Sequence, residues 1–422
     1  MNGYQRQVAF LDWEFGVFFH FGIRSFFPGH RDWDGIEMPA ERFDPKELDC
    51  EQWIRVAKQA GATYAILTCK HHDGFALWQS AYSRYSVANT PWKDGKGDVV
   101  REFTDACRKY GLKVGLYYSP AQWGSHAIPF SNAKEYDEYF IAQITELLTN
   151  YGKIDYLWFD GCGSEGHEYD KERIVAEMER LQPDLLTFCD PEWTPGIRWV
   201  GNEDGYASLH NPLVVSATDY SELSKEEQKL ESAAFLPSEC DCKIRAPWFY
   251  DLNEETLKSV DELFGMYEMS VGHGSNFLLN IGPDNRGLLP DADVERVLSL
   301  GEKIRATFGN PLPYTAPVQD GDTYTMAHTE LSEDWMIPKE SRLSNCLMLK
   351  EDLSEGQKIR SFQIYGYLPH YQKKKILLFE GRTVGHKVFC RFGALRCSKF
   401  EVKITDADEG YHLTDIQAYY IQ

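Results

Sequence analysis

The feature that most constrains the fold is an alternation running through roughly the first 310 residues. Short, β-rich apolar runs alternate with amphipathic helical stretches, the pattern of βα units that build a parallel sheet. The runs are FGVFFHFG (15–22), TYAILTCK (63–70), KVGLYYSP (113–120), IDYLWFD (154–160), DLLTFCD (184–190) and NFLLNIGP (276–283). VVSATDY (214–220) and the stretch before Arg245 are weaker members. Their apolar residues are continuous, as expected of strands covered on both faces. Between them, Asp98 is placed to cap a helix whose Val100, Phe103, Cys107 and Tyr110 form one stripe, with Gly111 just past its end. Further helices are expected over about 132–150, 254–271 and 291–308. Six to eight strands alternating with helices over this length match a (β/α)8 barrel. A doubly wound open sheet is the competing architecture. No G-x-G-x-x-G turn follows the first run, which counts against its dinucleotide-binding form.

Asn310-Pro311-Leu312-Pro313 stops the last helix and reads as a linker. Beyond it the helical period disappears. SNCLMLK, RSFQIYGYL, KKKILLFEG, VFCRFG, KFEVKIT and DIQAYYIQ are short strand-like runs separated by turns. The expected organisation is therefore α/β: a catalytic (β/α)8-like barrel over 1–310 and a C-terminal β-sandwich over 311–422.

Charge and composition narrow the function. A formal net charge of −21 repels polyanions, so neither nucleic acid nor an anionic membrane surface is an expected partner. No apolar run approaches the roughly 18 residues needed to span a membrane. The opening MNGYQRQVAFLDWEFG lacks a signal-peptide core, and the expected location is the cytoplasm. The ten cysteines are scattered, several inside apolar runs, as buried thiols of a reducing compartment would be. Cys240-x-Cys242 has no second pair at zinc spacing. Nothing in the pattern sets the oligomeric state.

In a barrel of this kind the active site lies at the C-terminal ends of the strands. The polar residues expected there are His20, Lys70-His71-His72-Asp73, Tyr117-Tyr118-Ser119, Asp160 and Asp190. A loop carrying Arg198 and Gly201-Asn202-Glu203 follows. Asp160 closes an apolar run and precedes Gly161, which turns a carboxylate toward the barrel mouth; a turn or cap aspartate is the alternative. His71 and His72 have three readings: both bind sugar hydroxyls, both join His20 and Asp160 around a metal, or one packs while the other is solvated. Glu203, on a Gly-flanked loop, and Asp160 could supply the two carboxyls that a retaining glycosidase needs about 5 Å apart; a solvated loop glutamate is the alternative. Glu239 in PSECDCKIR is a reserve for that role. Trp33, Trp78, Trp158, Trp193 and Trp248 lie in or near the same loops, and core packing accounts for each taken singly. Trp158 has the better claim to the site, because residues i and i+2 of a strand share a face and Asp160 is its i+2.

These motifs resemble the α-L-fucosidases of glycoside hydrolase family twenty-nine. The resemblance covers nearly the whole chain. Its pieces are WEFGVFFHFG, FDPKELDCEQWIRVAKQAGATYAILTCKHHDGFALWQS, GLKVGLYYSP, YGKIDYLWFDG, RWVGNEDG and SVGHGSNFLLNIGPDNRGLL. In the tail, LKEDLSEGQKIRSFQI and FEGRTVGHKVFCRF match the family's β-sandwich. The resemblance implies a retaining exo-glycosidase that releases terminal α-L-fucose from a fucosylated glycan, with no metal or cofactor. It implies Asp160 as nucleophile and Glu203 as acid/base, the latter in the branch acting on α-1,3/1,4-linked, Lewis-type fucose. It further implies that His20, His71, His72, Trp158, Tyr118 and Arg198 bind the sugar, and that Asp32-Trp33 lines its pocket. Two departures bear on the pocket: His20-Phe21-Gly22 stands where the family has His-Trp-Gly, and the first βα loop, around Ile23 to Arg31, is short.

Overall fold

The computed structural model describes residues 2–29, 34–121, 133–160, 167–188, 196–219, 227–329, 343–369 and 374–422. Ten strands fall in the first part of the chain: β1 (Phe15–Phe19), β2 (Tyr64–Lys70), β3 (Lys113–Tyr118), β4 (Tyr156–Phe159), β5 (Leu186–Phe188), β6 (Gly196–Trp199), β7 (Val214–Asp219), β8 (Glu227–Phe235), β9 (Ser238–Lys243) and β10 (Asn276–Asn280). Eight of them close into a barrel in the order β1-β10-β9-β6-β5-β4-β3-β2. Every neighbouring pair is parallel, which excludes the open sheet.

The helices are α1 (Gly3–Leu11), α2 (Cys50–Ala60), α3 (Val99–Tyr110), α4 (Ala133–Asn150), α5 (Lys171–Leu181), α6 (Val260–Ser270) and α7 (Asp291–Phe308). Helix α3 starts and stops as its sequence dictates. The Asp98 carboxylate accepts from Arg101 N at 2.8 Å, and Gly111 takes a left-handed φ of 71°. Among the described residues no helix is long and apolar enough to cross a membrane.

Two expectations about strands are corrected. GIRW, taken as loop, is the sixth barrel strand; four residues flanked by polar chain carry too weak an apolar signal to stand out. VVSATDY is no barrel strand: as β7 it pairs antiparallel with β8 in a separate two-stranded sheet. The stretch before Arg245 is β9, a full barrel strand.

Strand parity divides the barrel residues into two cores. Phe18, Tyr64, Ile66, Tyr117, Tyr156, Trp158, Leu186, Phe188, Ile197 and Leu278 fill the interior, together with Phe10 from α1. Their outward neighbours, such as Val17, Leu67, Leu116 and Leu279, join the larger core under the helices.

The C-terminal strands are β11 (Val318–Asp320), β12 (Thr323–Ala327), β13 (Leu343–Glu351), β14 (Ile359–Tyr367), β15 (Lys375–Gly381), β16 (Val388–Arg396), β17 (Lys399–Ala407) and β18 (Leu413–Tyr419). They form a five-stranded antiparallel sheet, β11-β12-β17-β14-β15, and a three-stranded one, β16-β13-β18. A shared core of Tyr324, Leu347, Leu349, Phe362, Ile364, Phe400 and Val402 joins the two sheets. Phe308 at the end of α7 stacks on Phe389, with ring centroids 4.5 Å apart. Glu14, immediately before β1, pairs with Lys387 and His386 across the same junction.

Candidate active site

The site is assembled on the inward parity of the strands, just above the aromatic interior. On β4 the inward ladder Tyr156, Trp158, Asp160 ends in a carboxylate at the barrel mouth. Tyr117 donates its hydroxyl to Asp160 Oδ2 at 2.7 Å, and His72 Nε2 lies 3.5 Å from the same oxygen. The other His72 nitrogen is 2.6 Å from Ser119 Oγ. Ser119 donates its own proton to Ala121 O at 2.7 Å, so its oxygen accepts from His72 Nδ1–H. That leaves His72 Nε2 directed at Asp160.

His20 and His71 complete the wall. Asn280 Nδ2 donates to Trp248 O at 2.6 Å, and its Oδ1 lies 2.8 Å from His20 Nδ1. This orients His20 with Nδ1–H as donor and leaves Nε2 as the nitrogen that can accept from a ligand hydroxyl. The His20 ring lies on Trp248 at 4.7 Å, and burial pushes its pKa down to about 3. His71 lies parallel to Tyr117 at 5.5 Å, and its Nδ1 is buried with no hydrogen-bond partner among the described residues. Burial, with His72 and His20 beside it, holds His71 well below the usual imidazole range. Both rings are therefore neutral at pH 7 and suited to hydrogen bonds with hydroxyls. His71, His72 and Asp160 each offer a ligand atom within 4.8 Å of the others, so they also fit a cation geometrically.

Trp158 is the floor. Its ring stacks on Phe188 at 3.9 Å and on Tyr117 at 5.3 Å. Its Nε1 donates to Glu239 Oε1 at 3.0 Å. Glu239 also receives Tyr64 Oη at 2.6 Å and Tyr156 Oη at 3.1 Å. It is fully buried among aromatic rings below Trp158, and burial raises its pKa to about 7 against those three donors. The reserve candidate for acid/base is thus a structural carboxyl beneath the pocket floor.

Glu203 follows β6, with β5 intervening between its strand and that of Asp160. Its side chain is 37% exposed and pairs with Lys243 Nζ at 2.7 Å. Lys243 tops the β9 ladder Glu239, Asp241, Lys243, and its ammonium lies 4.8 Å from the Trp248 ring centroid. Contacts therefore run from Glu203 through Lys243, Trp248, His20, His71 and Tyr117 to Asp160.

Two expected sugar ligands are not brought to this site. Tyr118 has the opposite parity from Tyr117: it is buried behind the barrel, donates to Gln143 Oε1 at 2.7 Å and packs on Phe140 of α4. Tyr117 takes its place. Arg198 also points outward, because inward parity on β6 belongs to Ile197 and Trp199; its guanidinium bonds Asn211 and the carbonyl of Pro212. Trp33, with Asp32, lies outside the described residues, as does Trp193. The Phe21 departure falls behind the wall. Its ring packs on Phe26, Phe43 and Trp53 in the outer core rather than facing the pocket. Sequence reasoning placed Tyr117 at a strand end but chose Tyr118 as the ligand, and it missed Asn280 and Lys243. Asn276 and Asn280, polar at i and i+4 within NFLLN, were a legible sign of inward-facing groups.

A closed parallel barrel with a carboxylate, neutral imidazoles and indoles around its C-terminal mouth defines a (β/α)8 enzyme built to hold a hydroxyl-rich ligand. Comparison with known proteins makes this specific. The α-L-fucosidase family model matches residues 2–307. The chain is 32% identical to alpha-L-fucosidase 1 of Arabidopsis thaliana, over 90% of this chain and 80% of that one. A solved glycoside hydrolase 29 family member from an unknown rumen bacterium superposes with a TM-score of 0.85 at 29% identity, covering 99% of this chain and 77% of that one. A solved Bacteroides ovatus chain gives a TM-score of 0.87 at 33% identity, covering 99% of this chain and 74% of that one. The chain belongs to the α-L-fucosidase family, glycoside hydrolase family twenty-nine.

Proposed function

We propose that the chain releases terminal α-L-fucose from fucosylated oligosaccharides by double displacement with retention, preferring α-1,3/1,4 linkages of Lewis type. The observation that carries this reading is the Asp160 carboxylate at the end of β4, held by Tyr117 at 2.7 Å inside a wall of three histidines and Trp158. In the first step Asp160 attacks the anomeric carbon as the glycosidic C–O bond breaks and Glu203 protonates the departing oxygen. In the second, Glu203 takes a proton from water as water displaces Asp160 from the sugar. His20 and His71, neutral through burial, bind ring hydroxyls, and Trp158 lies against the apolar face of the sugar. The linkage preference rests on the GNEDG motif that carries Glu203.

Two measurements test this. Asp160→Ala is expected to abolish hydrolysis of an aryl fucoside without loss of fold; near-normal turnover refutes the nucleophile. Fucose release is then compared between a Lewis-type α-1,3/1,4 oligosaccharide and 2′-fucosyllactose, with the first-formed anomer read by NMR. Release from both removes the linkage claim, and an inverted first product removes the double displacement.

A second reading, a metal-dependent hydrolase, is favoured by the closeness of His71, His72 and Asp160. Loss of activity on chelation and its return with zinc would establish it. A cytoplasmic location is supported by eight described cysteines that are all buried thiols.

A further inference from the structure

One charged group at the mouth has no part in the double displacement. Lys243 is the last residue of β9, in register with Asn280 of β10. Its carbonyl accepts from Lys258 Nζ at 2.8 Å, so the strand end beneath it is tied down. Its side chain is 21% exposed, and its ammonium sits 2.7 Å from Glu203 Oε2 and over the Trp248 ring that stacks on His20. The Glu203 loop is anchored to the same strand. Asp204 bridges to Cys242, and Gly205, at φ 75°, lies so close that a Cβ there would meet the Cys242 side chain at 3.1 Å. The main chain of Glu203 is thus registered on β9, while its partly exposed side chain is steered by the neighbouring ammonium.

We propose that Lys243 is a positioning residue for Glu203: it draws the carboxyl against the Trp248 wall and holds it within reach of the glycosidic oxygen. This rests on the reading of Glu203 as acid/base. General acid catalysis is decided by geometry first, because donor and oxygen must lie within hydrogen-bond distance. An exposed glutamate samples several rotamers, and an ion pair anchored on a barrel strand selects one of them. When Glu203 gives its proton to the departing oxygen, the carboxylate left behind finds its counter-ion in place. When Glu203 takes a proton from water, the ammonium goes on donating to the carbonyl oxygen of its carboxyl.

The test uses the full chain and two substrates: an aryl fucoside with a strongly acidic phenol, whose departure needs little acid assistance, and an unactivated fucosylated oligosaccharide. Glu203→Gln is expected to slow the oligosaccharide by about 10²-fold or more while sparing fucosylation of the enzyme by the aryl substrate. Lys243→Met should lower kcat on the oligosaccharide about tenfold with KM within about twofold, and leave fucosylation of the enzyme by the aryl substrate nearly unchanged. Lys243→Arg should restore most of the loss, and Lys243→Met should add nothing in the Glu203→Gln background. Circular dichroism checks folding, and Lys243→Gln serves in place of Lys243→Met if the latter does not fold. Equal losses on both substrates, no rescue by arginine, or an undiminished effect in the Glu203→Gln background each overturn the proposal. If Glu203→Gln is crippled on the oligosaccharide and Lys243→Met is inert, the proposal fails and the acid/base reading survives. If Glu203→Gln itself spares the oligosaccharide, both fail.

Discussion

Replacing Glu239 by glutamine tests whether a titrating carboxyl sits inside the barrel. Burial raises this group from an ordinary 4.5 to about 7, even though Tyr64, Tyr156 and Trp158 all donate to it. Between those two pH values the native state keeps a proton that the unfolded chain releases, so native stability falls as pH rises through that window. Below about 4.5 both states are protonated, and above about 7 both are ionised. At 1.36 kcal/mol for each pH unit of the gap, the fall is about 3 kcal/mol. The group is fully buried, so no discount for solvent applies. Glutamine cannot ionise, and the variant loses this dependence. Asp241, on the same ladder and raised by burial in the same direction, is present in both proteins and largely drops out of the difference. Urea unfolding followed by tryptophan fluorescence from pH 4.5 to 8 should show Glu239→Gln gaining about 3 kcal/mol relative to the parent chain. Two unfolding curves with the same pH dependence would refute the reasoning.

Four further outcomes are expected. Tyr117→Phe removes the hydroxyl on Asp160 but keeps the ring, and kcat/KM on an aryl fucoside should fall about 10- to 100-fold. Tyr118→Phe should leave kcat/KM nearly unchanged and lower stability by about 1–3 kcal/mol, because buried Gln143 loses its donor. Burial tends to raise Glu14, but the His386 hydrogen bond and the Lys387 charge outweigh it and hold the carboxyl down at about 2. Its contribution of about 3 kcal/mol is complete above pH 4.5 and lost as pH falls toward 2, so Glu14→Gln should be destabilised at pH 7 and approach the parent near pH 2–3 in denaturant unfolding. Finally, exhaustive treatment with EDTA should leave fucoside hydrolysis unchanged; loss of rate with recovery on added zinc would refute a purely carboxylate mechanism.

The barrel was legible because its signal is local. A continuous apolar run between turn residues announces a strand covered on both faces, and capped stripes such as 98–111 announce helices. GIRW escaped because four residues bury too little apolar surface to rise above the loops around them. VVSATDY misled for the opposite reason: its β-propensity is real, but propensity does not say which sheet a strand joins.

The same division runs through the site. That Asp160, His20, His71 and His72 end strands could be read along the chain, and the i, i+2 rule put Trp158 beneath Asp160. The choice between Tyr117 and Tyr118 could not be read that way, since both are aromatic and both lie near a strand end. Which one faces inward depends on the register of β3 against β2 and β4, a property of the closed sheet. Arg198 went astray with the strand that carries it. Glu239 and Glu203 are both glutamates near strand ends in the sequence. Only the barrel separates one enclosed by aromatic rings from one paired with Lys243 at the mouth, because depth along a barrel axis is set by how strands are staggered around it and not by any single strand. The sequence by itself determined the elements and the kinds of group at their ends; closure of the sheet decided which of those groups meet.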